Sequence, residues 1–222
     1  MNTKKIVDAA LGKVPAKYII KNGDILNVYT GEIIKSDVVI YDNLIVYVGK
    51  KGDEFKGEET KVINATDHIV LPGFIESHIH FESSMMTLTE FAKEVLKHGT
   101  TTVVIDPHEI TNVLGEKAIK LLINEKKDLP LRVLIELPSC VPALIGFETP
   151  GAVLDAKKIR KLIKHPDIFA LAEMMNYPGV YLGFPDVLAK LEATKEVGKI
   201  KIVKRKNKGR NNRRIVIVLE EL

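Results

Sequence analysis

The chain has 222 residues, 45% of them hydrophobic, enough to bury a sizeable core. Its one cysteine, Cys140, excludes a disulfide within the chain and fits a reducing compartment, and no run approaches the ~20 apolar residues of a membrane span. The net charge of +4 sits in one place: residues 199–214, KIKIVKRKNKGRNNRR, hold nine of the 33 Lys and Arg and no acid, leaving 24 basic against 29 acidic residues elsewhere. The body therefore lacks an electrostatic footprint for nucleic acid, and a soluble, cytoplasmic protein without a membrane anchor is expected.

Residues 1–69 read as a short helix followed by small strands. In SDVVIYDNLIVYVG two β-branched runs flank Asp42-Asn43, a two-residue hairpin turn. NGDILNVYTGEII has the same character, so a small antiparallel β unit is expected. From residue 70 to 198 the pattern changes to strand, helix, strand, helix. HIVLPGFIESHI is the first strand candidate, and TLTEFAKEVLKHG follows with Leu88, Phe91, Ala92, Val95 and Leu96 at helical spacing. Thr87 and Glu90 suit its start and Gly99 its end. TTTVVID is the second strand. VLGEKAIKLLINE is the second helix, with Leu114, Ala118, Leu121 and Leu122 on one face. LRVLIEL and DIFALAEM are the third and fourth strands. DAKKIRKLIKH, with Asp155 as N-cap, and PDVLAKLEATKEVG, opened by Pro185, are the helices after them. Apolar strands alternating with helices specify a parallel sheet of four βα units.

The polar residues collect where these strands end, the position at which parallel-sheet enzymes build sites. Glu76, His78 and His80 alternate and so share a face of the first strand. Two readings of His78 and His80 stand: ligands to one divalent ion, or strand-end histidines hydrogen-bonded to loops. DPHEITN puts Asp106, His108 and Glu109 after the second strand, and such groups are costly beside an apolar strand unless solvated, paired or metal-bound. Glu173 ends the fourth strand, where it either bridges ions held by the histidines or pairs with a Lys or Arg. Cys140 reads as a small buried thiol without a base partner. Ser83 and Ser84 lie outside any G-x-S-x-G elbow, which disfavours a serine hydrolase. His68, His98 and His165 read as structural, the last two at helix C-termini.

With these motifs assembled, the chain resembles the adenine deaminases of the metal-dependent amidohydrolase superfamily. The likeness is carried by LPGFIESHIHFESSMM, HGTTTVVIDPHEITNVLG, ELPSCVPA and LAEMMNYPGV, and covers residues 17–198. It implies an α/β fold: the first half of a (β/α)8 TIM-type barrel preceded by a small β-rich, sandwich-like domain. It further implies a divalent metal pair, manganese or iron, held by His78, His80 and a bridging Glu173. The implied reaction, part of purine salvage, is hydrolysis of adenine, a small-molecule substrate, to hypoxanthine and ammonia. Glu76 stands where the superfamily has Asp; Glu82, Ser83, Asp106, His108 and Glu109 would line the pocket or surround the ligands. An eighth-strand Asp base and two further ligand histidines belong to the family pattern, and no residue of this chain matches them. No catalytic residue is therefore assigned.

Residues 199–222 depart from the family pattern. They are expected to be a basic coil with one strand from Ile215 to Leu219, through a truncation or an out-of-frame readthrough, or as a genuine tail. Four parallel strands leave unpaired edges, so an oligomeric or aggregation-prone product, doubtful in deamination by itself, is expected. Two alternatives are kept: another amidohydrolase acting on cyclic amides or amines, and a non-catalytic protein that holds nucleic acid through the tail without sequence preference.

Overall fold

The computed structural model describes residues 2–205 and 215–218. The chain divides into two compact units between Pro72 and Gly73. In the first, helix α1 (Thr3–Ala10) is capped by the Asn2 side chain accepting from the Lys4 amide. Strands β1 (Tyr18–Leu26), β2 (Ile33–Tyr41), β3 (Leu44–Gly49), β4 (Lys61–Asn64) and β5 (Ile69–Val70) follow. β1, β2 and β3 form an antiparallel meander whose β2–β3 turn places Asp42 at φ 55°. β4 and β5 instead run parallel to β1, so the described sheet is single and mixed, not a purely antiparallel unit. Ile19, Val39 and Phe55 are its buried core.

The second unit is a parallel sheet with its helices between strands. In chain order it comprises β6 (Phe74–Ile79), α2 (Leu88–Lys97), β7 (Thr100–Ile105), α3 (His108–Leu114), α4 (Glu116–Glu125) and β8 (Arg132–Leu137). There follow α5 (Ala156–Leu162), β9 (Ile168–Met174), α6 (Tyr177–Tyr181), α7 (Pro185–Lys195), β10 (Ile200–Arg205) and β11 (Ile215–Val218). Among the described residues the strand order is β11-β10-β9-β8-β7-β6, parallel except for β11. The parallel α/β sheet is what the alternation of elements predicts, and the half barrel is what the family resemblance implies. β7, β8 and β9 are near-continuous apolar runs because helices cover them, and Val103, Ile105, Ile135, Leu137 and Leu171 are fully buried in one core with Leu122, Ile159 and Ile163.

The caps agree with the sequence. The Thr87 hydroxyl accepts from the Glu90 amide and Asp155 from the Lys158 amide, while Gly99 and Gly198 take positive φ after α2 and α7.

Four further details differ from the sequence reading. The apolar run Ile69–Ile79 is two strands: β5 pairs with β1 in the first unit, and Leu71-Pro72-Gly73 separates it from β6. The second helix is broken at Gly115 (φ 59°, ψ −136°) into α3 and α4. The buried face of α4 is then Ala118, Ile119, Leu122 and Ile123, whereas Leu114 and Leu121 are exposed. A short helix, α6, follows β9, capped by Asn176 accepting from the Gly179 amide. Finally, Ile200–Arg205 is a strand and not coil. Its β-branched run IKIV supplies main-chain partners to the edge of β9, which would otherwise hold unpaired amides and carbonyls. The expected strand at Ile215–Leu219 is present as Ile215–Val218; residues 206–214 and 219–222 of the basic segment lie outside the described residues.

Candidate metal centre

The C-terminal ends of β6, β7, β8 and β9 bring their acids and histidines together. His78 lies near the end of β6 and His80 just beyond it; Asp106 follows β7, Glu136 is in β8 and Glu173 in β9. One ligand-type atom from each of His78, His80, Asp106 and Glu173 lies within 4.8 Å of all the others. His78 Nε2 is 3.7 Å from one Glu173 oxygen, and His80 Nε2 is 3.8 Å from the other. These separations exceed a hydrogen bond. They leave room for a cation among the two imidazoles and the carboxylate that spans them.

Both rings are oriented from behind. His80 Nδ1 is 3.0 Å from the Asp106 carbonyl oxygen, which only accepts, so Nδ1 carries the proton and Nε2 the lone pair. His78 Nδ1 donates to Glu136 Oε2 at 3.0 Å, giving the same tautomer. Glu109 adds a second carboxylate 3.4 Å from His80 Nδ1.

The buried atoms of the site are acceptors in excess of donors. His78 Nε2, Asp106 Oδ1, Glu136 Oε1 and Glu82 Oε2 are buried without a hydrogen-bond partner, each a cost of about 1–3 kcal/mol if left so. A cation satisfies such a set, and imidazole nitrogen with carboxylate oxygen suits a borderline or hard divalent ion. Without one, protons are drawn in. His80 is pushed up to about 9, first by the Glu173 carboxylate facing it, against burial, with Asp106 and Glu109 adding. The His78 pKa is raised chiefly by its hydrogen bond to Glu136. Burial pushes the Asp106 carboxyl up to about 8, with the histidines opposing the shift and Glu136 and Glu173 adding to it. Glu136 is raised by burial, partly offset by His78.

The remaining residues singled out from the sequence surround this cluster unequally. His108 opens α3 with its ring 6.2 Å from His80; burial lowers its pKa, and its Nε2 accepts from Asn112. Glu82 accepts from the Ile110 amide and has its pKa raised by burial. Ser83 is exposed and touches the site through its amide, which donates to the His80 carbonyl. Glu76 is not in the ligand cluster. Its carboxylate accepts from the His78 amide, and an irregularity in the β6–β7 register between Glu76 and Ile79 breaks the strict alternation that would align it with the histidines. Cys140 packs with Met174 and Val187 and accepts from the Met175 amide, apart from the ligand cluster.

Glu136 was not singled out by sequence reasoning. The signal present was one acidic residue inside the apolar strand LRVLIEL, flanked by Ile135 and Leu137, all three fully buried. A carboxylate is not placed there for packing.

A half-barrel sheet whose strand ends gather two histidines and two carboxylates around one point defines a class. The chain belongs to the amidohydrolase family, whose model matches residues 69–203. Metal dependence goes with that family, and the His/Asp/Glu cluster is the candidate ligand set. Among curated proteins the chain is similar to the adenine deaminase of Moorella thermoacetica, 46% identical over 197 residues (89% of this chain and 33% of that protein). The adenine deaminase of Methanococcoides burtonii is 46% identical over 180 residues (81% and 30%), and that of Bacillus velezensis 45% over 193 (87% and 32%). The chain thus spans about a third of the length of the curated relatives it matches.

Solved structures share the fold at lower identity. The N-acyl-D-glutamate deacylase of Bordetella bronchiseptica, complexed with zinc and a phosphonate inhibitor, aligns at TM-score 0.58 and 16% identity, covering 87% of this chain and 46% of that one. The L-hydantoinase of Arthrobacter aurescens aligns at 0.55 and 16%, covering 86% and 41%. No helix among the described residues is long and apolar enough to cross a membrane.

Proposed function

We propose that this chain carries the first-strand to fourth-strand part of an adenine deaminase centre, converting adenine and water to hypoxanthine and ammonia. The observation behind the reading is the convergence of His78, His80, Asp106 and Glu173 within 4.8 Å, in a chain whose curated relatives are adenine deaminases. His78 and His80, each with Nε2 turned towards Glu173, would hold a divalent ion, manganese or iron, together with the Glu173 carboxylate. When bound, such an ion supplies a Lewis acid that lowers the pKa of coordinated water towards neutrality. Asp106 completes the cluster as a buried carboxylate. His108, neutral and accepting at Nε2, keeps its proton on Nδ1 and is a donor there. In the reaction a C–O bond forms at the amine-bearing ring carbon, the C–N bond breaks, and the amino group leaves as ammonia with one proton from water, the other remaining on the ring of hypoxanthine.

The test exchanges the matched segment of the Moorella thermoacetica adenine deaminase for that of this chain. The chimera is expected to release ammonia from adenine when manganese is supplied and not from hydantoin or a dihydropyrimidine. A folded, metal-loaded chimera that turns over the cyclic amides instead, or neither class, overturns the substrate assignment.

A further inference from the structure

We infer that Glu136 is a positioning residue: its buried carboxylate fixes the His78 ring so that Nε2 is delivered to the ion. The inference rests on the metal-centre reading above. It stands on the hydrogen bond from His78 Nδ1 to Glu136 Oε2 at 3.0 Å, and on the burial of Glu136 between Ile135 and Leu137 in β8. A carboxylate in that core costs free energy that an apolar residue there would not. What it gains is a strong acceptor aimed at one ring nitrogen. The two imidazoles are anchored differently. His80 leans on the main-chain carbonyl of Asp106, which no side-chain change removes, whereas His78 depends on the Glu136 side chain. Loss of Glu136 should therefore disturb His78 selectively and leave His80 in place. An outer partner of this kind raises ligand basicity and holds the tautomer, and its removal costs about 10–100-fold in metal affinity.

The experiment uses the 222-residue chain with Glu136→Gln and Glu136→Leu. Long-range 1H–15N correlation of the histidine rings in the metal-free protein, recorded well above pH 9 where His80 has lost its extra proton and a tautomer is defined, reads the tautomers, and competition against a chelator reads manganese affinity. Leucine is expected to weaken manganese binding by about 10–100-fold and to release His78, but not His80, from its single tautomer. Glutamine still accepts from Nδ1 and is expected to keep the His78 tautomer with a smaller loss of affinity. Unchanged affinity and unchanged His78 signals in the leucine variant overturn the inference, and so does equal disturbance of both rings. If the leucine variant does not fold, a glutamine variant that binds as tightly as the parent counts against the carboxylate. If the parent itself takes up no manganese, the metal-centre reading fails, while the His78 tautomer still decides whether Glu136 orients the ring.

Discussion

Replacing His80 with alanine is expected to weaken manganese binding by more than about 100-fold, beyond the about 10–100-fold that accompanies loss of an outer-shell partner. The reason is geometric. His80 Nε2 and His78 Nε2 face the two oxygens of one carboxylate at 3.8 and 3.7 Å, so removing either ring leaves Glu173 with one side of the cation uncovered. The replacement also leaves three buried carboxylates, Asp106, Glu136 and Glu173, with one nearby cation-forming group fewer. His78→Ala is expected to act alike, and His98→Ala, at the exposed end of α2, to change nothing. A chelator competition titration measures all three. Equal affinity in the His80 variant and the parent would remove these histidines from the site.

The second large effect concerns pH. In the metal-free protein stability is expected to fall as pH rises from about 6 to about 9, by on the order of 2 kcal/mol. The folded pKa of His80, about 9, lies above its ordinary 6.5, so its contribution is complete below 6.5 and lost as pH rises through 9. Asp106 works in the same direction. It keeps a proton up to about pH 8 when folded but releases it near 3.8 when unfolded, so each rise in pH between those values favours the unfolded chain. Over this range the folded state binds more protons, and the slope of stability against pH is negative. Manganese reverses the trend, because the histidines must be unprotonated to bind it and the ion occupies the place the protons held. Denaturant unfolding at three pH values, with chelator and with manganese, measures this. A metal-free protein that gains stability towards pH 9 would show that the carboxylate–histidine cluster does not hold these protons.

Much of the second unit was legible in the chain. Strands β7, β8 and β9 are dense in Val, Ile and Leu because helices cover them, and α2, α5 and α7 carry their start or stop signals in Thr87, Asp155, Pro185 and Gly198. His78 and His80 share a face by simple alternation. The irregular places resisted. A break at Pro72-Gly73 falls inside an apolar run, and only pairing partners show that Ile69–Val70 belongs with β1. Gly115 breaks a helix whose apolar spacing continues across it, which moves the buried face from Leu121 to Ile119 and Ile123. Glu136 escaped because orientation of a ligand from behind has no spacing rule. Its partner His78 is 58 residues away in sequence, and only the β7-spaced neighbourhood of β6 and β8 brings the two together.

One divalent cation is expected to bind between His78, His80 and Glu173. Anomalous diffraction from crystals of the chain grown with manganese, recorded on either side of the manganese absorption edge, tests it most directly. A peak bounded by His78 Nε2, His80 Nε2 and the Glu173 carboxylate is expected, with Glu136 behind the His78 ring. A manganese peak elsewhere, or a well-ordered cluster with no peak at saturating manganese, would contradict it.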